Sequence, residues 1–266
     1  MNRIEKKFKE LRTKKKKALI VFITAGFPSL KKTGELVLAF ERDGADLIEL
    51  GVPFSDPLAD GPVIQESSKK SLERKTTLSK ILRTVASLRK RTQIPLILMS
   101  YLNPVLNYGL KAFGKEASKA GVDGVIVPDL PPEEGREISK ILRQSGIDLV
   151  YLLAPTTAGA RVGRVTGASR GFIYYVSMTG VTGMNGAVSD KLYKNVRLAK
   201  TKTSLPVCVG FGISTPERAK AVAAFSDGVI VGSAIVKPLL RYPAMNASPF
   251  SKKFLKPFSR ALQGGA

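Results

Sequence analysis

The segment Ala45-Asp-Leu-Ile-Glu-Leu-Gly-Val-Pro-Phe-Ser-Asp-Pro-Leu-Ala-Asp-Gly-Pro62 joins a buried-strand pattern to a loop rich in proline and aspartate. Because side chains alternate along a strand, Glu49 shares one face with Gly51, while Ile48 and Leu50 point the other way. A carboxyl group among apolar neighbours is expensive to bury. We therefore interpret Glu49 as a functional residue that points to the inside of the fold.

Similar apolar, β-branched runs recur along the chain, and helical patterns lie between them. The eight runs are Ala18–Ala25, Ala45–Val52, Pro95–Tyr101, Gly121–Pro128, Ile147–Ala154, Gly171–Ser177, Leu205–Gly210 and Asp227–Val231. Near-continuous apolar strands that alternate with amphipathic helices are typical of a parallel sheet covered on its faces. Eight such units predict a (β/α)8 TIM barrel, with a doubly wound open sheet as the alternative.

The spacing of the runs adds detail to the predicted barrel. Run starts lie 50 residues apart after the second run and 34 apart after the sixth, whereas a βα unit needs roughly 25–30. We therefore expect long loops after strands 2 and 6, which are candidate lids. The charged segment Asn2–Thr13 predicts an extra helix before strand 1. We expect one domain over residues 1–266, with no clear helix in 241–251 and only Lys252–Leu262 left to cover strand 8.

The residue inventory excludes several kinds of chemistry. The chain has no His, which removes His-based triads and His-ligated metal, and we expect no metal site. Its single Cys, Cys208, removes internal disulfides and fits a reducing compartment. No apolar run reaches the roughly 18 residues that a membrane-spanning helix needs. We therefore expect a cytoplasmic protein without a membrane partner.

The net charge of +22 arises from 43 Lys and Arg against 21 Asp and Glu. The basic residues are spread over much of the chain, and Lys14–Lys17 is the one dense run. Nucleic-acid binders usually interleave aromatic residues with a basic stripe, but here the aromatics lie mostly within apolar runs. We favour a solvated basic exterior over a nucleic-acid interface. The charge would still attract an anionic small substrate.

Two carboxyl groups fall at the carboxyl end of strand 2, where barrel enzymes place their catalytic groups. Burial should raise the pKa of Glu49, which suits a general acid near neutral pH. Asp60 alone would equally well be a turn former. Beside Glu49 it makes a pair that can divide acid and base roles.

Glycine-bearing turns follow strands 6, 7 and 8 at residues 180–183, 210–212 and 232–233. Glycine lets backbone N–H groups approach phosphate oxygens, and barrels often bind phosphate after strands 7 and 8. Apolar side chains fall near the same mouth: Phe22, Met99, Tyr101, Phe211 and one of Tyr174 and Tyr175. The combination predicts a ligand with a flat apolar part and a phosphorylated tail.

Residues 48–62 closely resemble the signature of the tryptophan synthase alpha subunit family. Further matches occur in the same order at 22–28, 128–131, 177–183, 210–213 and 232–236, so the resemblance covers about residues 2–240. It implies a (β/α)8 lyase of tryptophan biosynthesis that cleaves indole-3-glycerol phosphate into indole and glyceraldehyde 3-phosphate. It also implies an alpha2-beta2 heterotetramer in which the beta subunit holds pyridoxal phosphate and receives the indole, while the alpha chain has no cofactor of its own.

The resemblance also implies residue roles. Glu49 would act as acid and base, and Asp60 would bind the indole N–H. The loops Pro53–Asp60 and Met178–Ser189 would form the lid and contact the partner. The phosphate would lie at Gly183, Gly212, Gly232 and Ser233, and the indole among Phe22, Met99, Tyr101, Tyr174 and Phe211.

Other functions remain open from the residues alone. A catalytically weak subunit that mainly activates a beta partner would keep the same motifs, and so would a stand-alone lyase that releases indole. A different phosphate-binding barrel enzyme, such as a phosphoribosyl isomerase, is disfavoured because the Glu49–Asp60 loop belongs to another pattern. Nucleic-acid binding through the basic surface is the last alternative.

Overall fold

The computed structural model describes residues 2–157, 159–177 and 189–263. Its strands are β1 (Ala18–Thr24), β2 (Leu47–Gly51), β3 (Leu96–Met99), β4 (Gly124–Ile126), β5 (Asp148–Val150), β6 (Leu152–Leu153), β7 (Ile173–Val176), β8 (Val207–Gly210) and β9 (Gly228–Val231). All are parallel, in the order β5-β4-β3-β2-β1-β9-β8-β7-β6. Only Tyr151 separates β5 from β6, and its carbonyl accepts the N–H of Tyr174 at 3.3 Å. The two end strands are thus halves of the fifth predicted strand, and the TIM barrel is confirmed.

Thirteen helices lie in the described residues. They are α1 (Arg3–Thr13), α2 (Leu30–Arg42), α3 (Pro62–Glu73), α4 (Leu78–Arg89), α5 (Leu102–Tyr108), α6 (Leu110–Ala120), α7 (Arg136–Gln144), α8 (Gly159–Ala168), α9 (Asp190–Thr201), α10 (Pro216–Ala223), α11 (Ser233–Arg241), α12 (Ala247–Phe254) and α13 (Lys256–Gln263). None of them is long and apolar enough to cross a membrane.

The strands send alternate side chains inward and outward, as the period of two requires. Ile48 and Leu50 of β2 pack in the outer core beneath the helices, whereas Leu47 packs in a separate cluster inside the barrel. Tyr174 and Tyr175 divide in the same way, inward and outward respectively. The predicted orientation of Glu49 follows from this alternation, since it shares the face of Leu47.

Helix α1 closes the amino end of the barrel. Its apolar residues Ile4, Phe8 and Leu11 are buried in the interior cluster, and the Phe8 and Phe172 ring centroids lie 5.8 Å apart. A Cβ at Gly124 of β4 would lie 2.9 Å from the Ile4 side chain, so glycine is needed for this close approach. The predicted extra helix is confirmed, and it serves as the floor of the barrel.

The carboxylates of Asp46, Asp123 and Asp227 fasten neighbouring strands at the same end. Each stands just before its own strand and accepts a backbone N–H from the strand beside it. The donors are Leu19, Leu96 and Val207, at 2.9, 2.8 and 2.9 Å respectively. Aspartate at the start of these strands therefore has a structural role.

The C-terminal segment is more helical than the sequence suggested. The expectation that 241–251 has no helix is wrong, because α12 begins at Ala247. Helix α12 packs on α2, and α13 packs on α10. Pro249 and Pro257 occupy the first turns of α12 and α13. A proline there interrupts no hydrogen bond, since the first-turn N–H groups have no intrahelical partner.

The long loop that was predicted after strand 2 is only partly irregular chain. An irregular segment runs over residues 52–61, and α3 uses the rest before α4 begins. The predicted loop after strand 6, which follows β7, falls mostly on residues 178–188, outside the described part of the chain.

Candidate active site

A cavity of about 260 Å³ opens at the carboxyl ends of the strands. Its lining includes most of the predicted site residues: Phe22, Asp60, Met99, Tyr174, Phe211, Gly212, Gly232 and Ser233. Tyr101 instead lines a small recess beside it, shared with Phe22, Asp60 and Met99. Gly183 lies outside the described residues. The strand ends thus bring together residues that are far apart in the chain.

Glu49 is not among the lining residues of either space; it lies in the barrel wall next to Phe22, which lines both. Parallel pairing places it between Phe22 of β1 and Ile97 of β3. It is 0% exposed, and among the described residues neither carboxyl oxygen has a hydrogen-bond partner. Burial raises its pKa to about 8. The carboxyl group is therefore protonated at neutral pH and holds a proton that it can give away.

Two glycines make room for aromatic rings around Glu49. A Cβ at Gly51 would lie 2.5 Å from the Phe22 ring, and one at Gly210 would lie 2.4 Å from the Tyr174 hydroxyl. Both rings therefore lie against bare backbone of the adjacent strand. With Phe211, whose ring meets Tyr174 edge to face at 6.0 Å, they form a chamber suited to a flat apolar group.

Asp60 reaches the cavity from the loop after β2. The Tyr101 hydroxyl donates to Asp60 Oδ2 at 3.2 Å and accepts the N–H of Ala59 at 2.9 Å. Burial raises the pKa of Asp60 to about 6, while the bond from Tyr101 lowers it. Asp60 is thus ionised at pH 7, and Tyr101 fastens the loop that carries it. The sequence placed Tyr101 near the apolar mouth but did not reveal this contact.

The opposite side of the cavity suits an anion. Helix α11 begins at Ser233, and its N-cap Gly232 contributes no side-chain cap. The first N–H groups of a helix have no intrahelical acceptor and lie at the positive end of its dipole. Gly212 has φ +70°, a left-handed conformation that glycine adopts without strain. Ser177 donates to the carbonyl of Gly210 at 3.1 Å and so helps to hold this turn.

Five further lining residues were not predicted. They are Ile64, Ile213, Ser214, Ile230 and Ala234. Ile213 and Ala234 directly follow glycine turns that the sequence had marked, and Ser214 is one residue further on, so a wider window around those turns would have found all three. Ile64 lies on α3, a helix that the repeat pattern did not predict.

The fold and this cavity define a class of protein: a (β/α)8 barrel enzyme with a helix N-terminus and an aromatic chamber at the cavity and two carboxyl groups of raised pKa in and beside it. Among the described residues no cluster of three or more His, Cys, Asp or Glu side chains could hold a metal ion.

Comparison with known proteins narrows the class. The family model for the tryptophan synthase alpha chain matches residues 8–256. The tryptophan synthase alpha chain of Geotalea daltonii is 52% identical over 237 residues, which are 89% of this chain and 90% of that protein. The crystal structure of tryptophan synthase subunit alpha from Legionella pneumophila superposes with a TM-score of 0.92 at 38% identity and 99% coverage of both chains.

A third match is a chain in the tryptophan synthase complex from Pyrococcus furiosus, with a TM-score of 0.84, 36% identity, and coverage of 91% of this chain and 98% of that one. The chain belongs to the tryptophan synthase alpha chain family. The resemblance seen in the sequence is confirmed, and the chain is a lyase.

Proposed function

We propose that the chain cleaves indole-3-glycerol phosphate by a retro-aldol reaction, in which Glu49 is the acid and base. The observation that carries this assignment is the buried Glu49 carboxyl, which has a pKa of about 8 and no partner among the described residues. The cavity matches the substrate part by part. Its aromatic chamber suits the indole, and its helix N-terminus suits the phosphate.

Glu49 begins the cycle protonated. It donates its proton to indole C3, which makes the ring an electron acceptor. The resulting carboxylate then takes the proton of the glyceryl hydroxyl next to the bond that breaks. The carbon–carbon bond cleaves, its electron pair returns to the indole ring, an aldehyde forms, and Glu49 is protonated again. One buried carboxyl thus suffices for both transfers.

Asp60 stabilises the ring while it carries positive charge. Its carboxylate accepts the indole N–H, and the interaction strengthens as the ring gains charge, which is what lowers a barrier. Tyr101 orients this carboxylate through the 3.2 Å bond to Oδ2. The phosphate binds at Gly212, Gly232 and Ser233, with Gly183 contributing from the segment 178–188.

The partner is a tryptophan synthase beta subunit that holds the pyridoxal phosphate and consumes the indole in the cytoplasm, within an alpha2-beta2 assembly. The match to a chain of a tryptophan synthase complex supports this proposal. Leu58, two residues before Asp60 in the same loop, is 94% exposed. An apolar side chain in that position offers a partner a contact close to the site.

The test is an assay of the purified chain with indole-3-glycerol phosphate, alone and with a pyridoxal-phosphate-loaded beta subunit. We expect indole and glyceraldehyde 3-phosphate in equal amounts, formed faster when the partner is present. Beta-subunit activation without any cleavage would support the activator alternative. Equal rates with and without the partner would support a stand-alone lyase.

A further inference from the structure

A second cavity, of about 230 Å³, lies at the amino end of the barrel, opposite the candidate active site. It is formed where α1 ends against the starts of β8 and β9. Its lining consists of Phe8, Leu11, Arg12, Lys15, Lys16, Lys17, Pro206 and Asp227. It contains most of the dense basic run that the proposed reaction does not use.

The charges of this cavity are unbalanced. Its one acid, Asp227, is already bound by Lys200 at 2.7 Å and by the N–H of Val207 at 2.9 Å. Among the residues that the structure describes, Arg12, Lys15 and Lys16 form no ion pair. Arg12, Lys15 and Lys16 therefore line this concave surface with no ion-pair partner among the described residues, and its one carboxylate is already engaged elsewhere.

Backbone bonds fix the path of the basic run beside the cavity. Lys15 has φ +53°, and the N–H of Lys16 returns to the carbonyl of Leu11 at 2.8 Å, so the chain turns sharply at the end of α1. The half-buried Lys17 donates to the carbonyl of Ser226 at 2.7 Å. These bonds direct the basic run back over the cavity.

The cavity has an apolar side as well. Phe8, Leu11 and Pro206 form part of its lining, and its volume approaches the roughly 260 Å³ of the candidate active site. A site of this size accommodates a ring in addition to an anionic group. The cations account for two or three negative charges, more than one carboxylate carries.

We propose that this amino-end cavity binds a ring-bearing organic polyphosphate of the nucleoside diphosphate type, with the phosphates on Arg12, Lys15 and Lys16 and the ring against the partly exposed Pro206. The proposal is independent of the reaction assigned to the other end. A long nucleic acid fits the cavity less well, because Phe8 is its one aromatic side chain and is nearly buried.

The test is isothermal titration of the full chain with ADP, pyrophosphate and adenosine at about 0.15 M salt, where long-range charge effects are screened. Glycerol 3-phosphate is present in excess to occupy the phosphate site of the other cavity. K15Q/K16Q is compared with K6Q/K9Q, which removes the same charge from exposed positions outside the cavity, on the helix α1 that precedes the basic run.

We expect ADP to bind more tightly than pyrophosphate and far more tightly than adenosine. K15Q/K16Q should weaken ADP binding about tenfold or more, since each change removes a charged donor, and K6Q/K9Q should change it less than twofold. Both variants should cleave substrate at the wild-type rate. The proposal is overturned if ADP does not bind, if both variants weaken it equally, if glycerol 3-phosphate abolishes it, or if an oligonucleotide binds more tightly than ADP.

Discussion

Asp123 at the amino end of the barrel and Glu49 nearer the carboxyl end are both buried, but they differ in their hydrogen-bond and ion-pair partners. At the amino end Asp123 accepts the N–H of Leu96 at 2.8 Å and forms ion pairs with Arg3 and Arg89. At the carboxyl end Glu49 is equally buried, but neither of its oxygens has a partner among the described residues. Burial alone therefore does not make a carboxyl reactive. Burial raises the pKa of Glu49, and because no hydrogen-bond donor or cation among the described residues offsets that rise, its proton remains available for transfer.

The largest expected effect is on catalysis, through Glu49→Gln. The amide keeps the shape of the side chain but cannot transfer a proton, so kcat should fall by at least about 10²–10⁴-fold. Stopped or continuous assays of indole release measure the change, and titration with a substrate analogue checks that binding persists. A variant that keeps most of the wild-type rate would remove Glu49 from the mechanism.

The same isosteric change at the amino end should affect stability instead. Asp123→Asn leaves Arg89 half-buried without its counter-charge, and breaking a buried pair costs about 3–5 kcal/mol. Urea unfolding should show this loss while kcat stays at the wild-type value. Glu10→Gln, which breaks an exposed pair with Lys14 in α1, is the control and should have a much smaller effect. A large fall in kcat for Asp123→Asn would mean that the two ends are not separate.

The pH dependence of folding distinguishes the two carboxyl environments. The pKa of Glu49 rises on folding from 4.5 to about 8, so between these values the folded state holds a proton that the unfolded state has lost. Stability should therefore fall as pH rises, by up to about 1.4 kcal/mol per unit. Glu49→Gln removes this dependence. The unfolding free energy of the variant minus that of the wild type should therefore increase from pH 5 to pH 8. If the unfolding free energies of the two proteins changed with pH in the same way, the raised pKa of Glu49 would be contradicted.

At the anion side of the cavity, Gly212→Asp should raise KM at least about tenfold, because a carboxylate would stand where the phosphate binds. Gly212→Asn is the matched control, since asparagine is of the same size and also tolerates a positive φ. We expect the asparagine variant to lose much less affinity for glycerol 3-phosphate. Similar losses in both variants would show that backbone strain, and not charge, is responsible.

The smallest expected effect concerns Tyr101→Phe. The tyrosine lowers the pKa of Asp60, so its removal should raise that pKa above about 6. Because Asp60 acts as the carboxylate, the acid limb of the kcat/KM profile should move to higher pH, while the basic limb near pH 8, set by Glu49, stays in place. A variant whose profile is lowered uniformly would indicate only a positional role.

Much of this arrangement was visible in the sequence. The eight apolar runs predicted the barrel, and Glu49 stood out because an acid interrupts an apolar strand. The contact between Tyr101 and Asp60 was not predictable, because it joins the end of β3 to a loop 41 residues earlier. Helix α12 was not predicted, although its Pro249 lies in the first turn, where a missing N–H interrupts no hydrogen bond.

Helix α1 has a consequence for how the protein is made. It precedes every strand in the chain, yet its neighbours are made late: Asn2 donates to Asp148, and Phe8 packs on Phe172. During synthesis the apolar face of α1 therefore has no packing partner until more than half of the barrel has been made. Its docking is a late, long-range event. Such events are slow because the entropy of loop closure is lost before the long-range contacts contribute any stability.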